Sequence, residues 1–186
     1  ILGVEEVYAV GGAQAVAMFA YGAKGSEPQD GEVLCEPVDM ITGPGNIFVA
    51  TAKHMISGVC GIDAEAGPSE IGIIADSTAN PAWLAVDLMG QAEHDELAGS
   101  VLITDDEALA QKVIAELEER VPRTKNSERM ATALRGTQSA IVLTDNLDQS
   151  IDVANAYAAE HLEIHTAQAD DVVKRIRNAG AIFRGP

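Results

Sequence analysis

Gln91 and His94 stand three residues apart in the segment DLMGQAEHDELAGS, residues 87–100, which otherwise reads as an amphipathic helix. In an α-helix that spacing leaves two side chains about 60° apart around the axis and about 4.5 Å apart along it, so both can reach one point in space. An amide oxygen and an imidazole meeting there could hold a cation, in a chain with only 4 histidines. The spacing alone is a poor zinc motif, because histidine is a common zinc ligand and a glutamine oxygen a rare, weak one. A histidine near a helix C-terminus that complements the dipole is the competing reading of His94. The two cysteines, Cys35 and Cys60, do not complete a tetrahedral site, and their separation reads as thiols in a reducing compartment.

A second constellation lies in NAYAAEHLEIHT, residues 155–166. Glu160 and His161 are adjacent where a helix gives way to a strand, and a carboxylate beside an imidazole is a workable acid/base pair. Neighbours in a regular strand point to opposite faces, so both serve one site only if they lie in the turn. By spacing alone the pair reads more readily as a solvated helix end. His165 follows on the strand as a decoration, and His54, with no polar company in sequence, reads as a surface helix residue.

Two turns are glycine-rich: AVGGAQAV at 9–16 and MITGPGNIFVA at 40–50. Glycine permits a tight turn and a close backbone approach, and a following helix N-terminus favours a phosphate or another anion. Neither turn is G-x-G-x-x-G, and each alone is more often a plain strand-to-helix connection. Both are expected at carboxyl ends of parallel strands, where open α/β sheets bind ligands.

The elements that must carry these groups alternate along the chain. Short β-branched runs (EVYAV, VDMIT, IGIIAD, SVLIT, AIVLT, HLEIHT, AIF) are separated by helix-period stretches, which predicts an α/β fold. Mostly parallel sheets flanked by helices follow, as incomplete Rossmann-like lobes. Asn80-Pro81 and Asp105 mark helix starts, and Gly22 and Gly180 mark stops. The polar stretch 123–139 is expected to be a surface helix with flanking loops. The Gly, Pro and acidic cluster over 61–70 divides the chain into a lobe at 1–68, which carries the two glycine-rich turns, and a second lobe at 69–186. A net charge of -17 without a Lys/Arg cluster argues against nucleic acid as a partner. The apolar runs are strand-sized and no signal peptide opens the chain, so a soluble globular protein without a membrane partner is expected.

In chain order VGGAQAVA, DMITGPGNIFVATAKH, GIDAEAGPSEI, VDLMGQAEHDELA and NAYAAEHLEI together resemble the histidinol dehydrogenases across nearly all of the sequence. The resemblance implies a cytoplasmic, homodimeric, zinc- and NAD-dependent enzyme of histidine biosynthesis. Its reaction is oxidation of L-histidinol through L-histidinaldehyde to L-histidine in two hydride transfers. It further implies that Gln14 and Asn46 bind NAD, that Gln91 and His94 bind Zn2+, and that Glu160 and His161 are catalytic. Ser69 would bind substrate together with Gln91, His94 and His161. The neighbouring acids Glu93, Asp95 and Glu96 match no ligand. The family's other two zinc ligands, an aspartate and a histidine, fall beyond Pro186, and the family's first part falls before Ile1. A fragment that binds zinc weakly and is inactive by itself is therefore the expectation. The alternatives are a paralogue that oxidises another alcohol, such as a sulfonated diol, and a non-catalytic truncated α/β module.

Overall fold

The computed structural model describes residues 3–25, 33–65 and 67–185. Two units emerge, Ile1–Gly67 and Pro68–Pro186. In the first, α1 (Gly12–Tyr21) and α2 (Ile47–Ile56) share a small core of Val16, Ala20, Ile41 and Ile56. The strands are short: β1 (Ala23–Lys24) pairs antiparallel with β2 (Val33–Cys35), and β3 (Met40–Ile41) pairs parallel with β4 (Gly61–Ile62). The strand expected over EVYAV does not form, and Val7 is 86% exposed. A strand exists only through its ladder, and among the described residues no partner strand runs beside this segment. The turn at Gly11 and Gly12 therefore does not follow a strand, whereas the turn at 43–46 does follow β3.

The second unit holds one sheet of five parallel strands. These are β5 (Glu70–Ala75), β6 (Gly99–Thr104), β7 (Ala140–Leu143), β8 (His161–His165) and β9 (Ala181–Arg184), in the spatial order β7-β6-β5-β8-β9. Helices α3 (Pro81–His94), α4 (Glu107–Arg120), α5 (Ser127–Arg135), α6 (Leu147–Tyr157) and α7 (Ala169–Val173) connect them. A purely parallel sheet covered by helices is the α/β architecture that the alternation predicts.

Local sequence explains the helices. Asn80 accepts from the Ala82 N–H with Pro81 at the first helical position, and α3 then buries Leu84, Ala85, Leu88, Met89, Gln91 and Ala92 along one stripe. Asp106, one residue after the expected Asp105, caps α4 by accepting from Ala108 and Leu109. Gly180 does not end a helix, because α7 stops at Val173, seven residues before it. Its role is a close approach described below.

The two faces of the sheet follow from strand alternation. Ile71, Ile73, Ala75 and Leu102 pack with Leu84, Ala85 and Leu88 of α3 and with Leu109 and Val113 of α4. Ile74, Val101, Ile103, Leu162 and Ile164 pack with Ile151 and Ala154 of α6 and with Val172 of α7. Each such aliphatic side chain removed from water contributes about 1.5–3 kcal/mol before the entropy of ordering is counted. Parallel pairing sets Ile71 beside His161, Ile73 beside Glu163 and Ala75 beside His165. All three β8 side chains consequently lie on the face that α3 covers. Among the described residues no helix is long and apolar enough to cross a membrane.

Candidate functional site

Strands β5 and β8 are the neighbours at which chain order reverses, and in open sheets the crevice beyond their carboxyl ends is the usual ligand site. Here Asp76 ties the ends of the two strands together. Its carboxylate accepts from the Thr78 N–H at 2.9 Å and the Ala167 N–H at 2.8 Å, and its own N–H donates to the His165 carbonyl at 3.2 Å. The Thr78 hydroxyl donates to it as well.

Within the second unit, the groups singled out from sequence lie instead toward the amino edge of the sheet. Ser69 immediately precedes β5, and His161 is the first residue of β8. The Ser69 hydroxyl lies 3.3 Å from His161 Nδ1. Glu160 is exposed in the bend just ahead of His161. It comes into that bend because α6 ends on Ala158, which adopts the left-handed conformation at φ 56°, ψ 48°. That backbone costs a non-glycine residue about 1 kcal/mol. The Glu160 carbonyl accepts from the Ala181 N–H at 2.7 Å, and a β-carbon on Gly180 would stand 2.7 Å from the same oxygen. Glu160 thus lies in the turn, the condition for an adjacent Glu and His to serve one place.

A helix connecting two parallel neighbours runs antiparallel to them, so the last turn of α3 also points toward the amino edge. Gln91 is buried there at 7% exposure, with its Nε2 lacking a hydrogen-bond partner, while His94 is exposed at the helix end. Glu93, Asp95 and Glu96 bind protein groups or solvent: Glu93 accepts from the Asn126 amide at 2.7 Å, and Asp95 from the Leu97 N–H at 2.9 Å.

Sequence reasoning missed a cluster one turn back along α3. Asp87, Glu163 and His165 offer ligand-type atoms within 4.8 Å of one another, and His165 Nε2 lies 3.0 Å from the Glu163 carboxylate. Burial, and then the neighbouring Glu163 carboxylate, push the Asp87 carboxyl up to about 6, against a smaller opposing pull from His165. His165 is thus no decoration, being 8% exposed. A period of two already places 161, 163 and 165 on one face; that α3 covers that face is a tertiary fact. His54, for its part, has company: its Nδ1 lies 2.8 Å from Glu65.

The first unit carries the two groups expected to meet a dinucleotide. Gln14 is exposed in the first turn of α1, whose cap residue Gly11 offers no side-chain hydrogen bond, and Gly12 turns the chain at φ 73°. A helix start left uncapped in this way leaves N–H groups free for an anion. Asn46 spends its Oδ1 on capping α2 through Phe48 and Val49, so its Nδ2 is the end left to donate. Lys53, 2% exposed, ties down the turn before Asn46: its ammonium donates to the Gly43 carbonyl and to Asp63, each at 2.5 Å.

An aliphatic cleft of about 590 Å³ lies apart from these groups, lined by Leu88, Ile114, Leu117, Val121, Leu134 and Ile141 among others. None of the sequence-derived site residues lines it.

Comparison with known proteins adds an independent line. The family profile described as histidinol dehydrogenase matches residues 1–186. Histidinol dehydrogenase of Bifidobacterium longum is 76% identical over 186 residues, and that of Thermobifida fusca 60% identical over 185. Each alignment covers 100% of this chain and 40% of the relative, so the chain spans about 40% of the length of the curated relatives it matches. The crystal structure of histidinol dehydrogenase from Elizabethkingia anophelis superposes with a TM-score of 0.85 at 33% identity, over 98% of this chain and 40% of that one. A propionaldehyde dehydrogenase from Clostridium phytofermentans, 12% identical with a TM-score of 0.52, covers 92% of this chain and 49% of its own and shares the fold.

Proposed function

Since the chain belongs to the histidinol dehydrogenase family, we propose that the protein it represents oxidises L-histidinol through L-histidinaldehyde to L-histidine, using NAD and Zn2+. The observation that carries this reading is the meeting of Ser69 and His161 at the amino edge of the sheet, 3.3 Å apart, with Glu160 in the bend beside them.

His161 is the base in the first step. With its Nδ1 turned to Ser69, its Nε2 is the nitrogen that takes the hydroxyl proton while the carbinol carbon loses a hydride. Glu160, exposed to solvent, takes a proton from the water that adds to the aldehyde. His161, having released its first proton to solvent, then removes a hydroxyl proton of the resulting hydrate as the second hydride leaves, which yields the carboxylic acid, and this loses its remaining proton to water to give the carboxylate. When bound, NAD supplies the hydride acceptor for both oxidations.

Gln91 is buried with an amide end that no described protein group engages, and turning the amide by 180° would bring its oxygen, the metal-binding atom, to that place, with the exposed His94 imidazole one turn on as a second donor. These two residues would hold Zn2+. The ion, when bound, would serve as a template for the imidazole and amine of the substrate, a contact that favours histidinol over simple alcohols. Gln14 and Asn46, each at the start of a helix, would bind NAD through the Gln14 amide and Asn46 Nδ2. A homodimer and a cytoplasmic setting belong to the same reading.

The test uses the full-length protein with Glu160→Gln and His161→Asn, assayed for NADH formation from histidinol. Turnover at least about 10²-fold lower in each is expected, and parent-like rates in both would remove the assigned roles.

A further inference from the structure

His161 opens β8 with Ile71 on one side and Ala181 on the other. A side chain at the first position of a strand has a partner on fewer sides than one in its middle, so its ring adopts one rotamer only if something holds it. Two side chains do so. One is Ser69 at Nδ1, and the other is Phe183 of β9, whose ring stacks on the imidazole with centroids 6.1 Å apart and planes 28° from parallel. Phe183 is two residues beyond Ala181, a diagonal neighbour on the same face, and the small Ala181 leaves the path between the two rings open. Core packing does not explain this phenylalanine. It is 51% exposed and belongs to none of the hydrophobic clusters among the described residues.

We propose that Phe183 is a positioning residue that, together with Ser69, fixes the His161 imidazole as a general base, an inference that rests on the catalytic role given to His161 above. The stack sets the plane of the ring, and the hydrogen bond sets its rotation within that plane. When Ser69 accepts from Nδ1–H, the lone pair stays on Nε2; after proton uptake Nδ1–H still donates to Ser69, so the ring keeps its place through the cycle.

The experiment is done on the full-length enzyme loaded with Zn2+ and NAD, comparing Phe183→Leu, Phe183→Tyr and His161→Asn. Phe183→Leu is expected to lower kcat by about tenfold, as expected for a misplaced base, with KM for histidinol and zinc content unchanged. Phe183→Tyr, which restores the ring, is expected to recover kcat. Should Phe183→Leu unfold, Phe183→Met fills the same space without a ring and reads the same effect. A Leu or Met variant with parent-like kcat, in an enzyme that His161→Asn inactivates, overturns the positioning role alone. An active His161→Asn enzyme overturns both this role and the function it rests on.

Discussion

Gly180 and Glu160 are packed backbone to backbone: a β-carbon on Gly180 would lie 2.7 Å from the Glu160 carbonyl oxygen and 3.3 Å from its α-carbon. The glycine is therefore a condition for the bend that presents Glu160, although it sits twenty residues away in sequence. Gly180→Ala must push that bend outward, because backbone cannot rotate aside as a flexible side chain can. A loss of about 1–3 kcal/mol is expected from the forced contact, read by urea unfolding. In the full-length protein, histidinol turnover should fall by more than the stability change accounts for, and unchanged turnover would show that the bend has no catalytic part.

Asp87 makes stability depend on pH in a direction opposite to most carboxylates. Its folded-state value, raised to about 6 by burial and then by Glu163, lies above the ordinary carboxylate range. The protonated form is thus the one the fold prefers, and its contribution is complete below about pH 4. It is lost as pH rises through about 6. Asp87→Asn, neutral at every pH, should raise the melting temperature relative to the parent at pH 7.5 and give little gain at pH 4.5. Equal differences at the two pH values would mean that Asp87 does not share its charge problem with Glu163.

In the first unit the Lys53–Asp63 pair is asymmetric, with the lysine 2% and the aspartate 36% exposed. Asp63 is held well below the usual carboxylate range by the Gly43 N–H, by Lys53 and by the Ala64 N–H, in that order. Removing the lysine leaves a half-solvated carboxylate that keeps both N–H donors. Removing the aspartate charge leaves a buried ammonium facing carbonyls. Asp63→Asn is therefore expected to cost more than Lys53→Met in denaturant unfolding followed by circular dichroism. The reverse order would contradict the burial asymmetry.

Tyr157 carries a buried hydroxyl without a hydrogen-bond partner among the described residues, and burial, then the Glu70 carboxylate, push its ionisation up. Tyr157→Phe deletes the unsatisfied group and keeps the ring against the α6-side core, so it should be neutral or stabilising by about 1 kcal/mol. Tyr157→Ala, which empties the space, should cost about 3 kcal/mol. Thermal unfolding distinguishes the two, and a Phe variant less stable than the parent by 1 kcal/mol or more would reveal a partner for the hydroxyl.

What the sequence determined by itself was local or compositional. Periodicity placed α3, α4 and α6 and strands β5, β6 and β8, because burying one stripe or one alternate face is written in nearest-neighbour spacing. Ordered motifs identified the family, and i, i+3 spacing paired Gln91 with His94. Where a long-range partner had to be supplied, the same reasoning failed: EVYAV has β-strand residues and no ladder beside it, and Gly180 resembled a helix stop while serving Glu160. Only the tertiary structure decided at which end of the sheet Ser69 and His161 meet. The order β7-β6-β5-β8-β9 sets β5 beside β8, and their register puts His161, Glu163 and His165 under α3. Asp76 bridges the carboxyl ends of β5 and β8, and β9 brings Phe183 to the His161 ring. The reason is physical: a side chain's face is fixed by its own strand, but what it meets there is fixed by pairing between segments that nothing in their local sequence specifies.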